Sequence, residues 1–240
     1  MKILLGLGAL IPAFRPAAGP PPRSIGAFFN WCLKGSWKML GFAAFVSAIA
    51  GTAEVVSAWI LGWVVDASLA SGASGFFSDH AWSLGLCVLF YLVARPLAFA
   101  ASSAANSIII GPNVMPLVLS RLHRWTLGQS ITFFDNDFAG RIAQKQMQAA
   151  RAVTDVVTET INTGAFALAS VVASVIYLVS IDVRIAVLLA VWLVIYVFLI
   201  RHFVPRVKKN SAARASARAM VSGQVVDTIT KYQNGQAFCT

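Results

Sequence analysis

The sequence predicts an all-α membrane protein with four long transmembrane helices, and three observations support this prediction. Of the 240 residues, 58% are apolar and only 12% are charged, whereas a soluble domain is about one quarter charged. The charges are unevenly spread and leave four stretches that are nearly or wholly uncharged. A hydrocarbon core of ~30 Å needs ~20 helical residues, and these stretches supply them. An ordinary water-soluble globule and a disordered chain are excluded.

Four spans are predicted, over residues 39–65, 81–110, 158–181 and 184–205. Glu54 is the one charged residue inside the first span, and Arg95 is the one inside the second. The third span is uncharged from residue 160 onward. The fourth reaches full length by continuing to Pro205, with the side chain of Arg201 snorkelling toward the interface at its end.

The positions of the basic residues predict the orientation of the spans. The chain has 19 Lys and Arg against 9 Asp and Glu, an excess typical of proteins that bind nucleic acid or a membrane. Of these 19 residues, 17 flank the spans on one side, one lies on the other side, and Arg95 lies within a span. The positive-inside rule then places both termini and the segments 111–157 and 206–240 in the cytoplasm. Nucleic acid is not an expected partner, because no basic motif with interleaved aromatics is found.

The residues before the first span divide into two parts. Met1 and Lys2 with the apolar run 3–11 resemble a short signal peptide, but Pro12 ends the run and no small-residue cleavage site follows. We therefore expect residues 1–24 to form an uncleaved, flexible cytoplasmic leader. Residues 25–36 are predicted to form an amphipathic elbow helix that lies in the membrane interface, with its aromatic side chains at headgroup depth.

The cysteines and histidines carry no sign of a metal site. Cys32, Cys87 and Cys239 are isolated and odd in number, so we expect free thiols. The three histidines are scattered along the chain without ligand spacing. No bound metal is expected.

The segment between the second and third spans is helical in composition but is interrupted once. Residues 117–127 have apolar side chains at helical spacing, and residues 141–159 contain neither Pro nor Gly. Between them the sequence Ser-Ile-Thr-Phe-Phe-Asp-Asn-Asp-Phe-Ala-Gly-Arg, residues 130–141, favours a turn and a new helix start. The sequence predicts two membrane helices that run far into the cytoplasm and are joined at the tip by a short transverse helix.

Two patches in the cytoplasmic segments resemble a known family. The first is Phe133-Phe134-Asp135 with Gly140-Arg141-Ile142, followed by Asp155-Val156-Val157. The second is His202-Phe203-Val204-Pro205-Arg206 through Ser216 and Arg218, then Val225-Val226-Asp227 and Thr230. Both are similar to the intracellular loops of ATP-binding cassette (ABC) exporters, in particular of bacterial multidrug/lipid-type half-transporters. The resemblance covers about residues 25–230.

This resemblance implies a fold and a set of partners. Residues 37–240 would be a partial type-1 transmembrane domain, four helices of a fold that has six and that works as a homo- or heterodimer. A nucleotide-binding domain would follow helix six and would bind ATP and magnesium, whereas this chain itself binds no cofactor. The location implied is the bacterial inner membrane, with the lipid bilayer, a second transmembrane subunit and nucleotide-binding domains as partners.

The resemblance also implies two coupling elements, at 131–141 and 225–235, which would contact the nucleotide-binding domains. In the first, Phe133, Phe134 and Phe138 would form an apolar plug, while charged side chains would fix its register. The residues carried over to this role are Phe133, Phe134, Asp135, Asp137, Gly140, Arg141, Asp227 and Thr230. The alternative is a turn whose aromatic side chains pack on neighbouring helices. No catalytic residue is expected.

The two intramembrane charges need a reason, because each costs about 2.5–3.5 kcal/mol at mid-bilayer on insertion scales. Counted from the ends of their spans, Glu54 and Arg95 lie within ~4 Å of each other in depth. We expect them to face the bundle interior and to pair, or to line a translocation cavity. The alternative is that each is solvated independently in a water-filled cavity. Pro96 should kink the second span and free a carbonyl.

The sequence contains no Gly-x-x-x-x-Gly-Lys-Ser/Thr motif, so nothing in it is suited to cradle ATP phosphates. We therefore expect no ATPase activity from this chain. It would form part of the substrate pathway of an ATP-driven exporter of amphipathic molecules. The competing interpretation is a non-enzymatic four-span adaptor or accessory subunit. An ion-coupled permease would predict more intramembrane acids than Glu54 alone.

The last ten residues depart from the family pattern, which reads approximately Asn-Ile-x-Thr-Val-Lys-Leu-Phe after Thr230. This chain instead has Lys-Tyr-Gln-Asn-Gly-Gln-Ala-Phe-Cys-Thr. One permitted coding string, with one base removed near codon 231, translates as Asn-Ile-Lys-Thr-Val-Lys-Leu-Phe-Ala. We expect a one-base frameshift near codon 231 that is either a real truncation or a sequencing error, which the DNA sequence tests.

Overall fold

The structure is a computed structural model that describes residues 14–17, 19–135 and 139–237. Within these ranges it leaves out the side chains of residues 72–75, 78, 134–135, 139–141, 209, 212 and 215–237. The chain divides into two units, Met1–Tyr177 and Leu178–Thr240, which are described separately. In the described residues all regular structure is helical, and the predicted all-α class is confirmed.

The first unit begins with a short helix, α1, over Ile25–Leu33. It ends before Gly35, whose φ of +92° favours glycine. A long helix, α2, follows over Trp37–Asp79. The link of about 15 residues expected outside the first span is therefore largely helical, because this Ala- and Ser-rich stretch contains no proline to end the helix.

The second span consists of α-helical segments separated by wider π-helical turns. Helix α3 covers Ala81–Leu89 and α4 covers Arg95–Ala104, with a π turn over Phe90–Ala94 between them. The N–H of Arg95 donates to the carbonyl of Phe90, five residues back. Since Pro96 has no N–H to donate, the helix accommodates this proline in a widened turn. A second π turn covers Ala105–Ile110.

The same helix then continues as α5, over Gly111–Leu127. A turn at 128–130 leads into the five-residue helix α6, Ile131–Asp135. The next long helix, α7, covers Ala139–Glu159. The chain thus has a short helix between two long ones where the sequence predicts it, and α5 packs along α7.

Helix α7 leads through a third π turn, Thr160–Ala165, into α8, Phe166–Ile181. Helix α2 packs on α4 and on this third π turn. A Cβ on Gly51 would collide with the carbonyl oxygen of Phe166, so glycine is required where α2 meets the start of α8.

The second unit consists of the end of α8, Asp182 and the 55-residue helix α9, Val183–Ala237. The carboxylate of Asp182 accepts a hydrogen bond of 2.8 Å from the N–H of Arg184. This contact caps the start of α9, because the first N–H groups of a helix have no partner within it.

The buried core of the first unit lies where α1, α2, α5 and α7 meet. Its members are the buried apolar side chains of these helices and of the π turns beside them, including Trp31, Cys32, Leu33, Leu40, Ile110, Val114, Leu117, Val118, Val153 and Ile161. By contrast, α3 and α8 contribute no buried residue among those described. Most of the buried apolar side chains therefore lie toward the α1 end of these helices.

Four helical stretches of the described chain are long and apolar enough to cross a membrane: Trp37–Ser71, Ala81–Leu127, Ile142–Ile181 and Val183–Lys208. Each includes most or all of one predicted span. The number of spans agrees with the prediction, and this is a membrane protein.

Candidate functional site

Glu54 and Arg95 form an ion pair between α2 and α4. Nη2 of Arg95 lies 2.9 Å from Oε2 and 3.1 Å from Oε1 of Glu54, and Nε lies 3.2 Å from Oε2. The two side chains are 39% and 40% exposed within the described chain. The pairing expected from their depth is present, and this fork-like geometry is the strong form of an Arg–carboxylate contact.

Aromatic side chains connect this ion pair to the next helix. The guanidinium carbon of Arg95 lies 5.7 Å from the ring centroid of Phe99, one turn further along α4. The ring of Phe99 in turn lies 6.1 Å from that of Phe166 at the start of α8. The charge of Arg95 is thus balanced by a carboxylate and by the face of an aromatic ring.

A cavity of about 380 Å³ with several polar side chains in its wall lies beside these two rings. Phe99 and Phe166 form part of its wall, and its polar lining consists of Ser102, Ser103, Asn106, Ser107, Asn162 and Thr163. Inside a membrane protein such a lining is unusual, since polar groups there are costly unless they are paired or face water. The cavity is therefore a candidate part of a hydrophilic pathway.

Two asparagines join the π turns at this cavity. The amide nitrogen of Asn106 donates to the carbonyl of Ser102 at 3.0 Å and to Oδ1 of Asn162 at 3.4 Å. Oδ1 of Asn106 is buried and has no hydrogen-bond partner in the described structure. An unsatisfied buried acceptor costs about 1–3 kcal/mol. A group that brings a donor to it would therefore be stabilised.

Neither asparagine is among the predicted site residues. Asn106 is the only amide side chain in the stretch 81–110, and Asn162 is the only one in 158–181. Amide side chains inside predicted spans are a signal of polar contacts between helices. Counting only charged residues misses this signal.

The tip between α5 and α7 contains the first predicted coupling element. The N–H of Phe133 donates to the carbonyl of Ser130 at 3.0 Å, which starts α6. The ring of Phe133 packs edge-to-face on Trp125 of α5, at 6.4 Å between centroids, and remains 36% exposed. Phe133 therefore contacts a neighbouring helix, as the alternative interpretation proposes, but about a third of its surface stays exposed.

Most of the other predicted coupling residues lie outside the described side chains. Asp137 and Phe138 are outside the described residues altogether. The backbone, but not the side chain, is described for Phe134, Asp135, Arg141, Asp227 and Thr230, and Gly140 lies in the first turn of α7. Their contacts with a partner stay a prediction. The expected leader also falls mainly outside the described residues, which begin at 14 and omit 18.

Arg121 of α5 holds the end of α1. Its side chain is only 3% exposed. Nη1 donates to the carbonyls of Trp31 and Cys32 at 2.8 Å each, Nη2 donates to that of Lys34 at 2.7 Å, and Nε donates to that of Arg15 at 3.1 Å. The last carbonyls of a helix have no partner within it and form its negative end. A cation from a distant helix therefore caps α1.

Cys32 lies beside this contact and should be chemically inert in the folded chain. Burial raises the pKa of its thiol to about 12, against a smaller opposing effect of the positive charge of Arg121. At pH 8 the reactive thiolate is then about a thousandfold scarcer than for a thiol in water. In a Cys87→Ser/Cys239→Ser background, we expect iodoacetamide to modify Cys32 very slowly in nanodiscs and rapidly after denaturation in SDS.

The raised pKa of Cys32 also predicts how the free energy of unfolding changes at alkaline pH. The folded chain keeps the thiol proton up to about pH 12, whereas the unfolded chain loses it above about pH 8.5. The contribution of this group to the free energy of unfolding is therefore full below about pH 8.5 and falls as the pH rises toward 12. Rapid modification of folded Cys32 at pH 8 would contradict this account of its burial.

The fold and these sites define a class of protein: a polytopic helical membrane protein with an ion pair and a partly polar cavity between its helices. The family model for the ABC transporter transmembrane region matches residues 40–240. The chain therefore belongs to the family of ABC transporter transmembrane regions. The family assignment inferred from the cytoplasmic patches is confirmed.

One curated relative extends this finding. A protein from Haemophilus influenzae, named "Uncharacterized ABC transporter ATP-binding protein", is 26% identical over 232 residues, which is 93% of this chain and 36% of that protein. The chain thus spans about a third of the length of this relative. No solved structure matches the chain.

Proposed function

We propose that this chain is the permease portion of an ATP-driven exporter and that it moves amphipathic molecules outward. The observation that carries the proposal is the family match over residues 40–240, which includes the spans and both predicted coupling elements. The similar H. influenzae protein carries "ATP-binding" in its name. By analogy, ATP and magnesium would be bound by a nucleotide-binding domain that acts together with this chain.

In this proposal α5 and α7 form the lever that carries movement from the tip to the membrane. The amide of Gln146 on α7 donates to the hydroxyl of Thr126 on α5 at 2.8 Å, one turn before the tip. The two helices also share buried apolar side chains, among them Leu122 and Val153. A nucleotide-binding domain that moves the tip would therefore move both helices together, as rigid-body switching requires.

The Glu54–Arg95 ion pair and the neighbouring cavity at Asn106 form the proposed pathway within this subunit. Glu54, Arg95 and the cavity at Asn106 offer charged and hydrogen-bonding groups, while Phe99 and Phe166 offer aromatic faces. An amphipathic molecule contains both kinds of group. A second transmembrane subunit would complete the pathway. The chain would lie in a bacterial inner membrane, with both of its termini in the cytoplasm.

Photo-crosslinking at the tip tests the proposal. A photoreactive amino acid, p-benzoylphenylalanine, is introduced at Phe134 in cells of the source bacterium that express the full chain. We expect an adduct with a protein or domain that contains a Gly-x-x-x-x-Gly-Lys-Ser/Thr motif and binds ATP-agarose. Position 134 is suited to this test because its helix, α6, has five residues and lies at the tip.

Leu69 provides the control position. It is 80% exposed and lies in the last turns of α2, on the side predicted to be external. The same amino acid at Leu69 should give no ATP-binding adduct. Adducts at 134 with proteins that do not bind ATP would favour the adaptor interpretation and contradict the proposal.

A further inference from the structure

An apolar groove runs along the start of α2, between α1 and the end of α7. Its volume is about 310 Å³. It is lined almost wholly by apolar side chains, among them Phe29, Leu33, Trp37, Ala44, Val157 and Ile161. Its lining residues come from α1, α2, α7 and the π turn that follows α7, and several of them belong to the buried core.

The groove runs in the direction of a lipid tail and covers about two thirds of the ~15 Å hydrocarbon depth of one leaflet. On α2 it is lined by Trp37, Leu40, Gly41 and Ala44, which share one face of the helix at spacings of three and four residues. From Trp37 to Ala44 the helix rises about 10 Å. Trp37 begins the first candidate span, so the groove leads from the level of the lipid headgroups toward the bilayer centre.

Basic residues lie next in sequence to the groove residues at the end that is level with the lipid headgroups. Lys34 follows the groove residue Leu33, and Lys38 follows Trp37; both side chains are exposed. In the part of the chain that the structure describes, neither has a carboxylate within 4.0 Å. The guanidinium of Arg15 packs on Gly35, where a Cβ would lie 2.8 Å from its Nη1. Like charges gathered without acids attract an anion.

Two acidic side chains on α7 are next in sequence to residues that line the groove. Asp155 precedes the groove residue Val156, and Glu159 precedes Thr160. The carboxylate of Glu159 accepts a hydrogen bond of 3.0 Å from the hydroxyl of Thr163, one turn deeper along the helix. Neither acid forms an ion pair with the two lysines in the described structure. The cations therefore remain available to an anionic headgroup.

We propose that this groove binds one acyl chain of an anionic phospholipid, whose phosphate contacts Lys34 and Lys38. An all-apolar groove binds the hydrocarbon tail, and each basic side chain near an anionic lipid surface favours binding by about tenfold or less. The lipid would hold α1 against α2 and α7 from the membrane side. The proposal goes beyond transport and does not depend on it, since it needs only a bilayer.

Quenching of tryptophan fluorescence by brominated lipids tests this site. The full chain is placed in nanodiscs that contain phospholipids with brominated acyl chains, either phosphatidylglycerol or phosphatidylcholine at the same mole fraction. The contribution of Trp37 is the difference between the wild-type chain and the Trp37→Phe variant. We expect brominated phosphatidylglycerol to quench Trp37 at about tenfold lower mole fraction than phosphatidylcholine does.

Two variants and a control separate the headgroup from the groove. The Lys34→Gln/Lys38→Gln variant should lose the preference for phosphatidylglycerol. Gly41→Leu should reduce quenching of Trp37 by both lipids, because the added side chain enters open space in the groove without a clash at its Cβ. The Arg124→Gln/Lys145→Gln variant removes the same charge from α5 and α7 and should keep the preference.

Several results would overturn the proposal. Equal quenching by the two lipids would remove the anionic preference, and a preference that survives Lys34→Gln/Lys38→Gln would remove the assigned cations. Loss of the preference in Arg124→Gln/Lys145→Gln would indicate a general charge effect. Unchanged quenching in Gly41→Leu would exclude the groove. If inorganic phosphate abolished the preference, the site would bind a free anion rather than a lipid.

Discussion

Replacing Arg121 with glutamine should lower the free energy of unfolding by about 3–5 kcal/mol, since buried carbonyls that lose their donors cost about 1–3 kcal/mol each. Four carbonyls at and near the end of α1 accept hydrogen bonds from this one side chain, and the bonds to two of them, Trp31 and Cys32, are fully buried. For a chain of this length the expected loss corresponds to a fall of about 10 °C in the unfolding midpoint. Thermal unfolding in detergent, followed by circular dichroism, measures it.

Arg124→Gln is the matched control for this prediction. Arg124 lies one turn further along α5 and is exposed, so its loss should change the free energy of unfolding by less than about 0.5 kcal/mol. Arg121→Lys should be intermediate, because an ammonium group is a compact donor and does not reach all four carbonyls as the planar guanidinium does. Equal midpoints for Arg121→Gln and Arg124→Gln would show that α1 is held in another way.

Replacing Glu54 with glutamine should destabilise the chain in a bilayer by about 2.5–3.5 kcal/mol, the cost of an uncompensated charge at mid-membrane. The guanidinium of Arg95 would lose its one carboxylate partner in the described structure. The double variant Glu54→Gln/Arg95→Gln should recover most of the loss, since two neutral groups remain. Unfolding of the nanodisc-embedded chain, measured for the four members of this cycle, gives the coupling energy directly.

The same cycle separates the two interpretations of these charges. Paired side chains give single-variant effects that are strongly non-additive, whereas independently solvated side chains give effects that add. The charge-reversed variant Glu54→Arg/Arg95→Glu should re-form the pair and regain stability. Asp66→Asn, which removes an exposed acid from the same helix, should have little effect. Additive losses would contradict the pairing.

The spans and the Glu54–Arg95 pair could be predicted because both rest on a strong physical rule. A charge inside a membrane is costly, so long uncharged stretches indicate helices that span it, and two isolated charges at the same depth indicate a pair. The short helix between α5 and α7 was also predictable, since Asp, Asn and Gly residues interrupt an otherwise helical sequence.

Other features could not be predicted because they depend on contacts between distant residues. Arg121 is one of several basic residues in its segment, and nothing near it in sequence indicates that it binds carbonyls 87 to 106 residues away. The π turn at 160–165 has no proline after it to signal it, whereas Pro96 follows the π turn at 90–94 and Pro112 follows the one at 105–110. The helical link before His80 was missed because small residues favour both helices and loops.

The contact between Arg121 and α1 has a consequence for the order in which the chain is assembled during synthesis. The carbonyls of Trp31 and Cys32 accept hydrogen bonds from Arg121, which is 90 and 89 residues later in the sequence. At a synthesis rate of about 5–20 residues per second, several seconds pass before that partner leaves the ribosome. Throughout this interval α1 has neither its cap nor its apolar neighbours on α5. The N-terminal helix therefore docks only after the second span has been made, and the maturation of the first span depends on a later part of the chain.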